Sequence, residues 1–234
     1  MTTPTAFGQQ LIAMHGWGGD SRAWLPWRDA AQRRGWNWQS GERGYGPLPP
    51  FEPSWPEGRG PRSVLVHSLG LHLLPRAVLE QADAVVLLAS FGRFVPPGEA
   101  GRAWRAALRV MQSRIASGAG ERVLQDFLAA AAAPDPVALL PAGPGHEPLA
   151  ACSLERLRHD LLLLGRTSGL PAGFPARARL LIIEAGADGI VAPNARQQLC
   201  LALPKAERWL IEAAGHSLLG ANLVEPVLDW LETE

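Results

Sequence analysis

Cysteine is nearly absent from this chain of 234 residues: Cys152 and Cys200 lie far apart, with neither a C-x-x-C pair nor Cys/His ligand spacing. That scarcity excludes a disulfide framework or a zinc site as a readable feature, and it leaves two thiols expected to be free and buried. Net charge is lacking too. Lys+Arg at 22 balance Asp+Glu at 22, so the total announces no polyelectrolyte partner and disfavours nucleic acid. No window of about eighteen apolar residues occurs, and "MTTPTAFGQQLIAMHGWGG" has no basic segment ahead of a long apolar run. The expectation is a soluble, cytoplasmic protein without a membrane partner. Lysine is reduced to Lys205, so almost every cation is arginine, whose planar fork suits phosphate and carboxylate. GC-rich coding would produce the same bias. No metal or redox cofactor is implied.

What is present is enough chain for one domain, or one domain carrying an insertion, with a sizeable core. Short apolar runs recur, each followed by glycine or polar breaks: "LIAM" before His15, "SVLVH" before Ser68, "AVVLLAS" ending near Ser90, "RLLIIEAG" ending near Gly186 and "RWLIEAAG" ending at Gly215. Unbroken apolar runs of this length read as parallel strands covered on both faces. "WNWQ", Trp36 to Gln39, is a weaker strand candidate. Helical patterns such as "RAWLPWRDAAQRRG" and "ARQQLCLALP" lie between the runs, and this alternation predicts an open α/β sheet. Two stretches interrupt it. Arg43 to Ser63 is too rich in Pro and Gly for a helix and reads as an extended connection. From 94 to 174 there are two or more helical segments and no convincing strand, which divides the chain into a core of residues 1–93 and 175–234 and a helical cap of residues 94–174.

In open α/β sheets ligands sit at the carboxyl ends of the strands, and the chemically useful residues fall there. Acyl transfer by serine needs a base, an acid to hold that base, and donors for the oxyanion. Ser68 follows "SVLVH" and precedes "LGLHLLPRAVL", a helix start, which is the strand-turn-helix setting of a nucleophile elbow. Asp188, in "EAGADGIVAP", and His216, in "AAGHS", each follow a later strand. A serine after a buried strand is common and carries little weight alone. Together with an acid and a histidine in the order Ser, Asp, His, it reads as a triad. The loop His15-Gly16-Trp17-Gly18 ends the first strand, and glycine there permits close approach of backbone donors. Trp17 and Leu69 N–H groups are the expected oxyanion donors, with the Trp17 side chain entering the acyl pocket. His15 is expected to brace that loop, His67 to point away from the site, and His72 to lie in the core or at the rim. Glu184, inside a strand, is the weaker candidate acid.

"HGWGG", "HSLG", "GADGIVAP" and "AAGHS" together resemble the α/β-hydrolase superfamily. "HGWG" and "LERLRHDLLLLGRTSGLPAGFPARARLLIIEAGADGIVAP" are similar to the pimeloyl-acyl-carrier-protein methyl ester esterases of biotin synthesis, the BioH type and its cyanobacterial-type replacements. The resemblance implies an α/β-hydrolase fold with a helical cap. Two departures stand out. Only about ten residues precede the first strand, a shortened N-terminus that predicts about six essentially parallel strands. Val66 replaces the first glycine of G-x-S-x-G, which demands a slightly wider crossing of strand and helix, while Gly70 is retained.

On the cap, Arg102, Arg105 and Arg109 fall on one helix face while Trp104, Leu108, Met111 and Ile115 share an adjacent one. A solvated surface accounts for such a face. The resemblance implies instead that these arginines, with Arg122, Arg156 and Arg158, meet an acidic carrier protein; only Arg122, in "ERVLQDFLAA", aligns well. The reading is therefore a serine carboxylesterase acting on an acyl methyl ester, that of pimeloyl-acyl carrier protein. The alternatives are a menaquinone-pathway-type lyase or carbon-carbon hydrolase of the same fold, and a non-catalytic binding protein. The oligomeric state is left open, and a monomer is compatible with everything read here.

Overall fold

The computed structural model describes residues 8–58 and 60–233. Six strands form one sheet in the order β2-β1-β3-β4-β5-β6: β1 Gln10–Met14, β2 Asn37–Gly41, β3 Arg62–His67, β4 Ala84–Leu88, β5 Arg179–Ala185 and β6 Glu207–Ile211. All five strand pairings are parallel. Every carboxyl end therefore points to one edge, which is why residues distant in sequence can meet there. The expected sheet of about six parallel strands is what the chain forms.

Alternation along the strands sorts the core into two layers. Leu11, Ala13, Leu65, Val86 and Ile183 face α1 (Leu25–Arg33) and α8 (Val224–Glu232). Ile12, Met14, Val64, Val66 and Leu87 face α2 (Gly70–Leu73), α3 (Arg76–Glu80) and α7 (Pro193–Ala202). The central strands are covered on both faces, and their unbroken apolar runs follow from that. The edge strand β6 is not: Leu210 is 58% exposed, so its apolar run does not mean burial.

Residues 43–58, most of the stretch expected to be an extended connection, run irregularly, pinned by an isolated antiparallel bridge between Glu42 and Phe51, and β3 begins at Arg62. Between β4 and β5 lie α4 (Arg102–Ala116), α5 (Gly120–Ala132) and α6 (Ala151–Arg166). Leu108, Ile115, Val123, Leu124, Leu157 and Leu161 from these helices form a third apolar cluster with Trp17 and Leu69 of the sheet's carboxyl edge. The inserted helices thus lie over that edge. Among the described residues no helix is long and apolar enough to cross a membrane.

Both thiols are free, but neither is buried as expected. Cys152 sits on the solvent side of the first turn of α6, and Cys200 is half-buried on α7, next to the exposed Leu201.

Val66 is fully buried among the α2/α3/α7 side of the core, beside Met14 and Leu87 in register. The tight crossing lies further on, at Gly70, where a Cβ would run into the Met14 carbonyl oxygen. The helix after the elbow is also brief: Leu74 turns to extended backbone ahead of Pro75, which splits it into α2 and α3. Valine at position 66 is thus core, not obstruction. Val66→Gly should cost about 2–4 kcal/mol, from lost burial and added backbone freedom, with a modest change in esterase rate. Denaturant midpoints and turnover measured on the same preparation check this; a large gain in turnover would show that the valine impairs the elbow.

Candidate active site

Ser68 caps β3 with φ of 54°, in the left-handed region that costs a residue with a side chain about 1–3 kcal/mol. Its amide donates to the Leu88 carbonyl of the neighbouring strand at 2.9 Å, and the Ser68 carbonyl accepts from Ser90 Oγ at 2.8 Å. These bonds hold the backbone in that conformation and push the side chain above the sheet. His216 Nε2 lies 2.9 Å from Ser68 Oγ, and His216 Nδ1 lies 2.9 Å from Asp188 Oδ2. Since a carboxylate only accepts, Nδ1 carries the hydrogen and Nε2 is free to accept from the serine hydroxyl.

Asp188 is fixed by more than its histidine. Its Oδ1 accepts from the amides of Ile190 at 2.8 Å and Val191 at 2.9 Å. Burial pushes this carboxyl up, but the hydrogen bond and charge of His216, with the two amides, outweigh it and hold it below the usual carboxylate value. It stays charged at neutral pH. Glu184, the weaker candidate acid, lies on β5 with its Oε2 2.6 Å from Arg208 and is not bonded to His216.

The HGWG loop packs directly against the serine: a Cβ at Gly16 would stand 2.8 Å from Ser68 Cβ, so only glycine allows this approach. Gly18 takes φ of 71°. Among the described residues neither the Trp17 nor the Leu69 amide donates to a protein group, leaving both available. His15 braces the loop through Nδ1 to the Gly16 carbonyl at 2.9 Å, while its Nε2 accepts from the Arg43 amide at 3.1 Å.

A cavity of about 430 Å³ opens beside Ser68 and His216, lined by Trp17, Trp24, Phe127, Leu128, Leu139 and Leu140 among others. None of its described lining residues is lysine or arginine, and its one carboxylate, Asp20, is held by Arg22 at 2.6 Å. The Trp17 indole N–H donates to the Leu157 carbonyl of α6 at 2.9 Å, and its ring meets Phe127 edge-on.

No protein-family model matches the sequence, and no curated protein matches it either. Solved structures do match. An enol-lactonase from Burkholderia xenovorans LB400 superposes with a TM-score of 0.71 at 14% identity, over 97% of this chain and 92% of that one. An esterase from Exiguobacterium antarcticum superposes with a TM-score of 0.69 at 12% identity, over 97% and 93%. A thermophilic esterase from Thermogutta terrifontis gives 0.63 at 13% identity, over 97% and 90%. The chain has the α/β-hydrolase fold. The loops after β3, β5 and β6 bring Ser68, Asp188 and His216 together at the sheet's carboxyl edge.

The cap arginines are scattered in their engagements. Arg102 is exposed near Glu99 at 3.7 Å, Arg122 pairs with Asp126 at 3.0 Å, and Arg109 and Arg158 are exposed. Arg105 and Arg156 are tied to backbone: Arg105 donates to the Gly98 carbonyl at 2.7 Å and Arg156 to the Gly44 carbonyl at 2.8 Å. His72 Nε2–H donates to the Phe91 carbonyl at 3.0 Å, at the rim.

Three features escaped sequence reasoning. Asp160 on α6 is fully buried between Arg43, at 2.6 and 2.7 Å, and the Tyr45 hydroxyl, at 2.7 Å. Segment 139–144 lines the cavity without any regular pattern. His67 bonds the backbone of His216 rather than turning away from the site, with Nε2 2.9 Å from that carbonyl. Only the presence of unexplained polar residues in apolar settings hinted at the first and third.

Proposed function

We propose that the protein is a serine carboxylesterase in which Ser68 attacks an ester carbonyl, His216 takes and returns the proton, Asp188 orients and balances His216, and the Trp17 and Leu69 amides hold the oxyanion. The observation that carries this reading is the continuous hydrogen-bonded chain from Ser68 Oγ through His216 to Asp188, both links 2.9 Å, at a serine held with φ of 54°. The alcohol leaves with the histidine's proton, and water then frees the acid by the same route. The esterase names of two of the superposed structures are in keeping with this chemistry.

The finer reading is that the ester is the methyl ester of a pimeloyl chain on acyl carrier protein, in biotin synthesis. Its support is the likeness of "HGWG" and the segment around Asp188 to those esterases, and an apolar cavity of about 430 Å³, within the size range of small-ligand sites. A lyase or carbon-carbon hydrolase acting on an acidic, ring-containing substrate gains no support from a lining without lysine or arginine.

The carrier is tested by charge. Alanine at Arg102, Arg109 and Arg122 together should slow hydrolysis of carrier-linked ester about tenfold at low salt and spare a short p-nitrophenyl ester, because steering by exposed charges acts on an acidic protein and not on a neutral ester. Raising the salt should shrink the difference. Equal effects on both substrates would contradict carrier docking.

A further inference from the structure

We propose that His67 is a positioning residue for His216: its Nε2–H holds the His216 main-chain carbonyl and so sets the imidazole over Ser68. The proposal rests on the triad reading above and deepens it. Two strands, β4 and β5, separate β3 from β6 in the sheet. With strands about 4.8 Å apart, the loop after β6 must reach back over roughly 14 Å to meet Ser68. It meets β3 at two points. Ser68 Oγ receives the side chain of residue 216, and His67 Nε2, at 2.9 Å, receives its carbonyl. One contact would fix where the ring is; two fix which way it faces.

The carbonyl has no other hydrogen-bond partner among the described residues, and His216 is buried. The neighbouring bonds of the loop, Ser217 N to the Ala131 carbonyl at 3.0 Å and Leu218 N to the Gly215 carbonyl at 2.9 Å, leave it untouched. Leu218 takes φ of 51°, a conformation that persists only where surrounding bonds over-determine it. Because a carbonyl can only accept, His67 is the Nε2–H tautomer with a bare Nδ1. Burial first, then the charge of His216, pulls its pKa down to about 4, which keeps it neutral beside a histidine that must become charged. The other ring edge abuts the HGWG loop: a Cβ at Gly16 would stand 3.2 Å from His67 Nδ1. His67 is therefore wedged between the loop bearing the oxyanion donors and the loop bearing the base, at the wall of the cavity, with its one N–H committed to the His216 carbonyl.

The test compares His67→Phe, which keeps an aromatic ring without a donor, with His67→Gln, whose amide Nε2–H can replace the lost one. We expect His67→Phe to lower kcat for a p-nitrophenyl ester about 10- to 100-fold with little change in KM, and to slow fluorophosphonate labelling of Ser68 in parallel. His67→Gln should recover to within about fivefold of the natural protein. Hydrogen–deuterium exchange of residues 212–218 should rise in His67→Phe and not in His67→Gln, a readout that does not depend on turnover. Full activity and unchanged exchange in His67→Phe would overturn the proposal, as would equal damage in both variants. A natural protein that resists fluorophosphonate, with Ser68→Ala still hydrolysing ester, would instead overturn the triad reading while the exchange data still judged the clamp.

Discussion

Ser68→Ala should lower ester turnover by roughly four to six orders of magnitude and leave the unfolding transition nearly where it is. The loss is large because the hydroxyl supplies the bond-forming atom, and what remains is whatever the oxyanion donors and the cavity do for attack by water. The fold should tolerate the change because among the described residues the hydroxyl bonds only to His216, which keeps its bonds to Asp188 and His67. Alanine also tolerates the left-handed backbone no worse than serine does. Turnover of a p-nitrophenyl ester and mass-spectrometric detection of a fluorophosphonate adduct both check it; more than a few per cent of activity in Ser68→Ala would place the nucleophile elsewhere.

Asp188→Asn should be nearly as damaging, about 10⁴-fold in kcat. The reason lies in the two amides. Ile190 and Val191 both donate to Oδ1, so the amide oxygen of asparagine is held there and its NH₂ is turned toward His216. A donor facing Nδ1 forces the hydrogen onto Nε2, the atom that must accept from Ser68. The histidine would then be present, well placed and in the wrong tautomer. Glu184→Gln is the internal comparison. Its carboxylate serves Arg208, so turnover should stay within about threefold; the reverse ranking would make Glu184 the acid.

Much of this was open to reading because it follows from short-range rules. Apolar runs such as "SVLVH" and "RLLIIEAG" can only be covered strands in a chain where helical patterns alternate with them, and parallel strands put their following loops on one edge. That logic alone places Ser68, Asp188 and His216 at one edge. It misled at β6, where "RWLI" is apolar yet lies at the sheet's border, because a run of residues carries no information about which strand ends a sheet. It also failed for the thiols: cysteine's usual burial says nothing about which side of α6 position 152 faces. His67 and Asp160 were illegible for a different reason. Their partners, the His216 carbonyl and the Arg43–Tyr45 pair, stand 149 and more than 100 positions away, and nothing local distinguishes a polar residue bonded across the molecule from one facing water.

The bonds between the inserted helices and the two loops at the site bear on how substrate gets in. Ser217 N donates to the Ala131 carbonyl at the end of α5, a Cβ on Gly215 would collide with the Ala133 carbonyl, and Trp17 is tied to Leu157 on α6. A hinged shutter must swing free of the machinery it covers, and this one is bolted to both halves of it. The rest of the cavity border comes from residues 139–146, which run from one short 3-10 turn at Val137–Leu139 to another at Pro144–His146, and from the turn 217–223 that leads into α8. In mechanical terms the inserted helices are the vice that grips the two loops of the site.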